Sequence, residues 1–444
     1  VENSGGGAPT RRQVVVVGGG YTGLAAAFDL ARAGHQVTVL ESAGELGGLA
    51  SAFPVGHTRL ERFYHHWFTN DVHVMGLIRD LGAEDQVRCR PTVTGMYYAN
   101  RLFRLASPLD LLRFTALSLP DRIRLGLLVI KARMEKDWRR LDHISAAEWL
   151  TRLAGPQVYR VVWEPLLKGK FGEFAERVSA SWFWAKLVLR GGSRGKGAHE
   201  HLAYFEGGFA ALTDRLAADI VAHGGVVRTR APASGLVVED GRVTGVLVGA
   251  EVVPCDSVIC TPALPIIADL LEPHTPADFV ARLRQVEYLA NVCLILLLDR
   301  SLSGLYWMNV NDPTFPFVGI IEHTNFEPPE SYEGHHIVYL SKYLPESAEL
   351  YRMKDDEVLR YALPHIKRMF PDFQEEWIKA SHVWHARYGQ PVVTTGYGDL
   401  VPPRSTPVEG VHIATMAQVY PEDRGTNYAV RDGRAVARHL MSEI

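Results

Sequence analysis

Hydrophobic and polar positions change period several times along this 444-residue chain. Gln13 to Val17 is a short β-branched run, which predicts a strand buried on both faces. A glycine-rich turn follows. Leu24 to Ala33 then reads as a helix, stopped by Gly34 just past its last turn. Gln36 to Leu40 predicts a second strand, with Glu41 at its end. The same alternation returns later: a helix over Ala210 to His223, then strands over Val226–Thr229, Gly235–Glu239, Val243–Val248 and Val258–Cys260. It returns a third time as a strand at His412–Thr415 and a helix from Ala429 to Met441. Between these lie a mainly helical stretch and a stretch with strands at Val292–Leu298, Phe317–Ile321 and Ile337–Leu340. From Pro120 to Asp142 the apolar residues Ile123, Leu127, Ile130, Met134, Trp138 and Leu141 share one helical face. Arg122, Arg124, Lys131, Arg133, Lys136, Arg139 and Arg140 outnumber the acids between them. The favoured expectation is a core-facing helix with a solvated basic side. The alternative is a helix that meets a membrane or an anionic substrate.

Composition narrows the picture. Hydrophobic residues make up 47% and charged residues 22%, which is the balance of a globular protein with a large core. The net charge of −3 gives no global reason to expect a nucleic-acid partner. The longest apolar run, Leu289 to Leu298, is about half the ~20 residues that cross a bilayer, so it reads as a buried strand. The cysteines Cys89, Cys255, Cys260 and Cys293 form no CxxC pair, which argues against a zinc ribbon or a disulfide framework and for a reducing, cytoplasmic setting. Val1 to Arg12 is Gly-rich and polar and reads as a disordered tail.

The turn Gly18-Gly19-Gly20-Tyr21-Thr22-Gly23 sits between strand and helix, where each glycine has a task. Gly18 permits the tight turn, Gly20 lets a pyrophosphate approach the backbone, and Gly23 lets helix and strand pack closely. The N–H groups of Tyr21 and Thr22 then join the positive end of the helix dipole in facing the phosphates. Glu41 stands where a carboxylate accepts hydrogen bonds from ribose hydroxyls, with Ser42 beside it; an acid there argues against a 2′-phosphate. A second glycine pair, Gly47-Gly48, followed by Leu49 and Ala50, suits a more extended cofactor.

Val14 to Phe53 resembles the FAD-dependent amine oxidase, protoporphyrinogen oxidase and phytoene desaturase superfamily, with Leu49 where many amine oxidases carry arginine. The resemblance implies an α/β fold: a Rossmann-like GR2-type FAD-binding domain with a mixed α+β substrate domain. It implies FAD-binding segments at 13–69, 201–265 and 396–444, with a helical cap at 70–200 and a substrate sheet at 266–395. It places Ala233 and Thr261 near the cofactor, and it aims the N-terminus of the last helix at the flavin, with Asn427 and Tyr428 as contacts and Arg424 meeting cofactor phosphate or substrate. The implied activity is that of an oxidase, dehydrogenase or desaturase taking a hydride onto flavin N5 from a small molecule.

Glu61 to Asp71 follows the glycine pair closely and should pass the flavin ring. His65 and His66 are the candidate catalytic groups, as N5 partner or proton shuttle, and Tyr64 a substrate contact. Adjacent histidines on a strand point to opposite faces, so no metal is expected there. His66 to Asp71 and Leu167 to Gly172 also resemble segments of UDP-galactopyranose mutases, with Phe171 in place of tryptophan. That likeness adds a second expectation, a mutase without net redox change, and names Lys168, Lys170 and Arg190 as contacts for an anionic or amphipathic substrate. A third expectation is a non-catalytic FAD-binding protein. Gly191 to Gly195 spells GxSxG, but a helix-like segment precedes it, so it is not read as a nucleophile elbow.

Overall fold

The computed structural model describes residues 11–105, 107–190 and 200–443; the tail before Arg11 and the loop at Gly191–Gly195 lie outside it. Five parallel strands form one sheet, in the order 226–228, 36–40, 13–17, 257–260 and 411–413. They come from three separated stretches of chain. The central strand Gln13–Val17 has Val14 to Val17 buried on both faces, which is why it reads as a continuous β-branched run. The helix Tyr21–Arg32 packs against the helices Gly208–Ala222 and Thr426–Ser442. At Gly433 a Cβ would stand 2.2 Å from the Thr22 carbonyl oxygen, so the first and last helices meet backbone to backbone.

The second sheet has seven strands, in the order 378–391, 288–298, 336–344, 319–322, 307–310, 94–98 and 101–104. Tyr288–Leu298 is buried from Leu289 onward, as the apolar run predicts. Its faces divide with period two. Val292, Leu294, Leu296 and Leu298 pack with Val358, Ala362 and Ile366 of the helix Asp355–Met369. Cys293, Ile295 and Leu297 join the core that also holds Val14, Val16 and the first helix.

The helical stretch departs from expectation at one place. The helix Leu119–Met134 ends eight residues before Asp142, and a short turn at Trp138–Leu141 follows. Its apolar stripe does not face the core: Ile123 is 52%, Ile130 59% and Met134 76% exposed. Leu128 and Ala132, on the opposite side, are the buried ones. Periodicity shows that a stripe exists, not which side the body covers. No helix among the described residues is long and apolar enough to cross a membrane.

Candidate flavin and substrate site

The glycine loop is held open by its own backbone. Gly18 has φ +105° and donates its N–H to the Leu40 carbonyl at 2.8 Å. Gly47 donates to Gly19 O at 2.8 Å, so the second glycine pair lies against the first turn. A Cβ on Gly23 would stand 2.0 Å from Gly18 O. The helix starts at Gly20 without a side-chain cap, and the positive end of its dipole there suits a phosphate. Glu41 is nearly buried and accepts from Gly19 N and Ala43 N, each at 2.7 Å, and from Ser42 Oγ at 3.1 Å. A carboxylate has about four acceptor positions, which leaves capacity for a ribose hydroxyl. Gly20, Thr22, Gly48 and Leu49 retain accessible surface along this track, while Ala50 is buried. The residues present therefore fit a dinucleotide.

Three predicted contacts have other tasks. The Tyr21 hydroxyl donates to Phe209 O at 2.9 Å, so only its main chain is left for the cofactor. Thr261 Oγ1 donates to Val17 O at 2.8 Å and braces the loop from behind. Ala233 pairs with Val248 in a separate three-stranded sheet. The second segment meets Glu41 slightly earlier, where Ala231 N donates to Glu41 O and Arg230 N to Ala43 O, both at 2.8 Å.

At the far end, the helix Thr426–Ser442 also begins without a side-chain cap, at Gly425. Asn427 Oδ1 accepts from His73 N at 2.9 Å and Val74 N at 3.2 Å, capping the helix Val72–Asp80 from outside. Its oxygen is thus committed to structure. Tyr428 packs beneath Arg431, whose guanidinium carbon is 4.9 Å from the ring centre. Asp71 starts the 72–80 helix without capping it and accepts from Phe68 N; burial pushes its carboxyl up to about 6.

His65 and His66 diverge, as neighbours on extended backbone must. His65 Nδ1 is 2.6 Å from Phe63 O, and because a carbonyl only accepts, that nitrogen carries the proton. Burial lowers the His65 pKa to about 4, so it is neutral near pH 7 and offers Nε2 as an acceptor. His66 Nδ1 lies 2.9 Å from Tyr306 OH, and its ring stands edge-on to Phe68, Tyr306 and Trp307. This is a packing environment for the second catalytic candidate.

His323, which the sequence reading did not single out, is 1% exposed and lies 2.7 Å from Tyr332 OH; burial lowers its pKa to about 3. Its folded pKa is below the unfolded ~6.5, so its contribution is complete above pH 6.5 and is lost as pH falls toward 3. At pH 5 the loss is about 2 kcal/mol. We expect urea melts at pH 7.5 and 5.0 to show this, and His323→Gln to shrink the difference by that amount. Equal pH dependence in both proteins would show that His323 does not carry it.

Asp423 anchors a compact charged group. It accepts from Lys170 Nζ and Trp182 Nε1, both at 3.0 Å, from Gln390 Nε2 at 3.4 Å, and from Lys186 Nζ. Arg424 donates to Gln390 Oε1 at 3.3 Å and to Tyr343 OH at 2.7 Å, and Tyr64 lies beside Tyr343 and Arg424. Burial alone would push the Asp423 carboxyl up, but Lys170, Lys186 and Arg424 together hold it well below the usual range. Burial lowers the Lys170 pKa against the pull of Asp423. Both lysines lie over the Trp182 ring, at 4.8 and 4.6 Å. Three cations thus surround one carboxylate, an excess of two positive charges. Side-chain exposures of 17% for Lys170, 29% for Lys186 and 21% for Asp423 keep the group partly accessible.

Of the predicted substrate contacts, Lys170 and Tyr64 reach this group, together with Arg424. Lys168 pairs on the surface with Glu164 at 2.7 Å, and the Arg190 side chain lies outside the described residues. Phe171 is fully buried, edge-on to Trp182, so it offers no stacking face like the tryptophan of the mutases. Sequence reasoning missed Asp423, Lys186, Trp182, Gln390 and Tyr343. The available signal was Lys186 as a lone charge inside the apolar run Ser181 to Leu189. No metal site is expected from the sequence; among the described residues one group has metal-ligand spacing, His412, His439 and Glu443, with ligand atoms within 4.8 Å of one another.

The glycine loop, second glycine pair, acid and parallel sheet define a Rossmann-like flavoprotein. Residues 21–441 match the model of the flavin containing amine oxidoreductases, and the chain belongs to that family, whose cofactor is FAD. It is 33% identical over 162 residues to a carotenoid phi-ring synthase of Streptomyces griseus, covering 32% of this chain and 31% of that protein. It is 29% identical over 182 residues to a coproporphyrinogen III oxidase of Propionibacterium freudenreichii, covering 37% and 32%. The matches span about a third of these relatives. The fold is shared with a provisionally assigned protoporphyrinogen oxidase of Exiguobacterium (TM-score 0.77, 19% identity, 98% of this chain and 100% of that one). It is shared also with cyclohexylamine oxidase of Brevibacterium oxydans (TM-score 0.74, 16% identity, 98% and 99%).

Proposed function

We propose that the protein is an FAD-dependent oxidoreductase acting on an anionic small molecule. The observation that carries the substrate class is the excess of two positive charges around Asp423. FAD, when bound, supplies a hydride acceptor for a substrate C–H. Glu41 and the start of the 21–32 helix hold the adenine half, and the positive end of the 426–442 helix favours negative charge at the other end. Lys170, Lys186 and Arg424 orient the substrate through its anionic group, and neutral His65 accepts a hydrogen bond. We take 13–69, 201–265 and 396–444 as the cofactor unit and 70–200 with 266–395 as the substrate unit. The three-stretch parallel sheet and the 70–200 origin of both lysines support that division.

The substrates named by relatives differ in charge. Cyclohexylamine is cationic near neutral pH, a carotenoid hydrocarbon is neutral, and coproporphyrinogen III is a polycarboxylate. Only the last complements this group. The test is anaerobic mixing of the holoprotein with each. Flavin bleaching by coproporphyrinogen III and not by the amine is expected, with Lys170→Met raising its KM about tenfold or more. Bleaching by the amine or the carotenoid alone would overturn the anionic assignment. Turnover only after pre-reduction, with no change in redox state, would overturn the oxidoreductase reading.

A further inference from the structure

We propose that the face built from residues 108–134 docks on an anionic lipid bilayer. This goes beyond the redox reading and does not depend on it. Eight of the fourteen exposed large hydrophobic side chains among the described residues fall between Leu102 and Met134. Single exposed apolar residues are ordinary, whereas a concentration of this kind marks a contact surface.

The concentration has a regular form. Leu119, Ile123, Leu127, Ile130 and Met134 are spaced by three or four residues, so they line one side of the helix Leu119–Met134 over about 22 Å. Leu128 and Ala132 on the opposite side fix the helix to the body. The shorter helix Pro108–Arg113 adds Leu109 and Leu112, both more than half exposed. Arg122 ties the two helices by donating to the Leu112 and Leu117 carbonyls. The surface is therefore preformed and needs no new folding to bind.

Charge selects the occupant. Residues 101–140 contain ten Lys and Arg against four Asp and Glu, a net +6 in a chain whose total is −3. Two of the four acids are turned to structural use: Asp110 and Asp121 bond Ser107 and Ser118 at the helix starts, with side chains 13% and 11% exposed. Arg113, Arg124, Lys131 and Arg133 flank the stripe and remain exposed. An apolar stripe bordered by cations complements acyl chains beneath anionic headgroups. A second copy of the same surface would be repelled by its own charge.

The test is co-sedimentation of the full-length holoprotein with phosphatidylcholine vesicles, with and without phosphatidylglycerol. Binding to the anionic vesicles, weakened by salt, is expected. The variant I123S/L127S/I130S should bind about tenfold or more weakly, with unchanged flavin content and melting temperature because all three side chains are exposed. Failure to bind either vesicle, equal binding to both, or undiminished binding by the variant would overturn the proposal. So would a dimer in sedimentation velocity that the variant dissolves, since a second copy would then be the occupant.

Discussion

Asp423→Ala is expected to destabilise the protein by about 3 kcal/mol, because it leaves Lys170, Lys186 and Arg424 crowded at a mostly buried site without their shared counter-charge. The carboxylate also takes the Trp182 indole N–H, so its removal leaves that donor unpaired, while the Gln390 amide keeps its bond to Pro391 O at 3.1 Å. The effect differs from that of losing a surface ion pair, which is worth about 0–1 kcal/mol. Adding Lys170→Met to Asp423→Ala should recover about half of the loss, since one unpaired charge is removed and the methionine stem still packs beside Trp182. Urea unfolding of wild type, single and double variants reads this directly. If the single variant is as stable as wild type, the group is solvated and the anionic-substrate argument loses its basis. If the double variant is no better than the single one, charge crowding is not the cause.

Gly23→Ala is the second large effect. An added Cβ would lie 2.0 Å from the Gly18 carbonyl oxygen, far inside contact distance, so either the helix or the loop must shift. The neighbours are backbone and the central strand, which have little room to give. The variant should purify without the yellow chromophore and lose about 3 kcal/mol or more of stability. Gly34→Ala is the control. Gly34 has φ +89° but nothing within 4 Å of the added carbon, so its cost should be only about 1 kcal/mol, with flavin retained. Full flavin occupancy in Gly23→Ala would mean that the pyrophosphate lies elsewhere.

These two sites also show what sequence reading reaches. The glycine loop was legible because each of its features is local. Strand, turn, helix and acid follow one another within thirty residues, and the backbone conformation of each position limits which residue fits. The run from Leu289 to Leu298 was legible for a similar reason, since burial on both faces erases alternation. The Asp423 group was only partly legible. Lys170 and Arg424 could be singled out one at a time, but what brings them together is contact across about 250 positions. Asn427 shows the same limit. Its place at a helix start was readable, and its use as a cap for the Val72–Asp80 helix was not. The stripe on the Leu119–Met134 helix is legible but its direction is not, because amphipathicity records a difference between two sides and not which solvent each side meets.

The sheet topology bears on the order of events during synthesis. The strand 13–17 is synthesised long before every one of its sheet partners except 36–40: about two hundred residues separate it from 226–228 and 257–260, and about four hundred from 411–413. The helix Tyr21–Arg32 finds its backbone-to-backbone neighbour at Gly433 later still. Folding of this sheet therefore cannot finish until the last of these segments has been made, and contacts of such long sequence separation form slowly. Nascent chains arrested before residue 411 should leave the helix Tyr21–Arg32 protease-sensitive, and flavin capture should require residues 411–442 to have emerged.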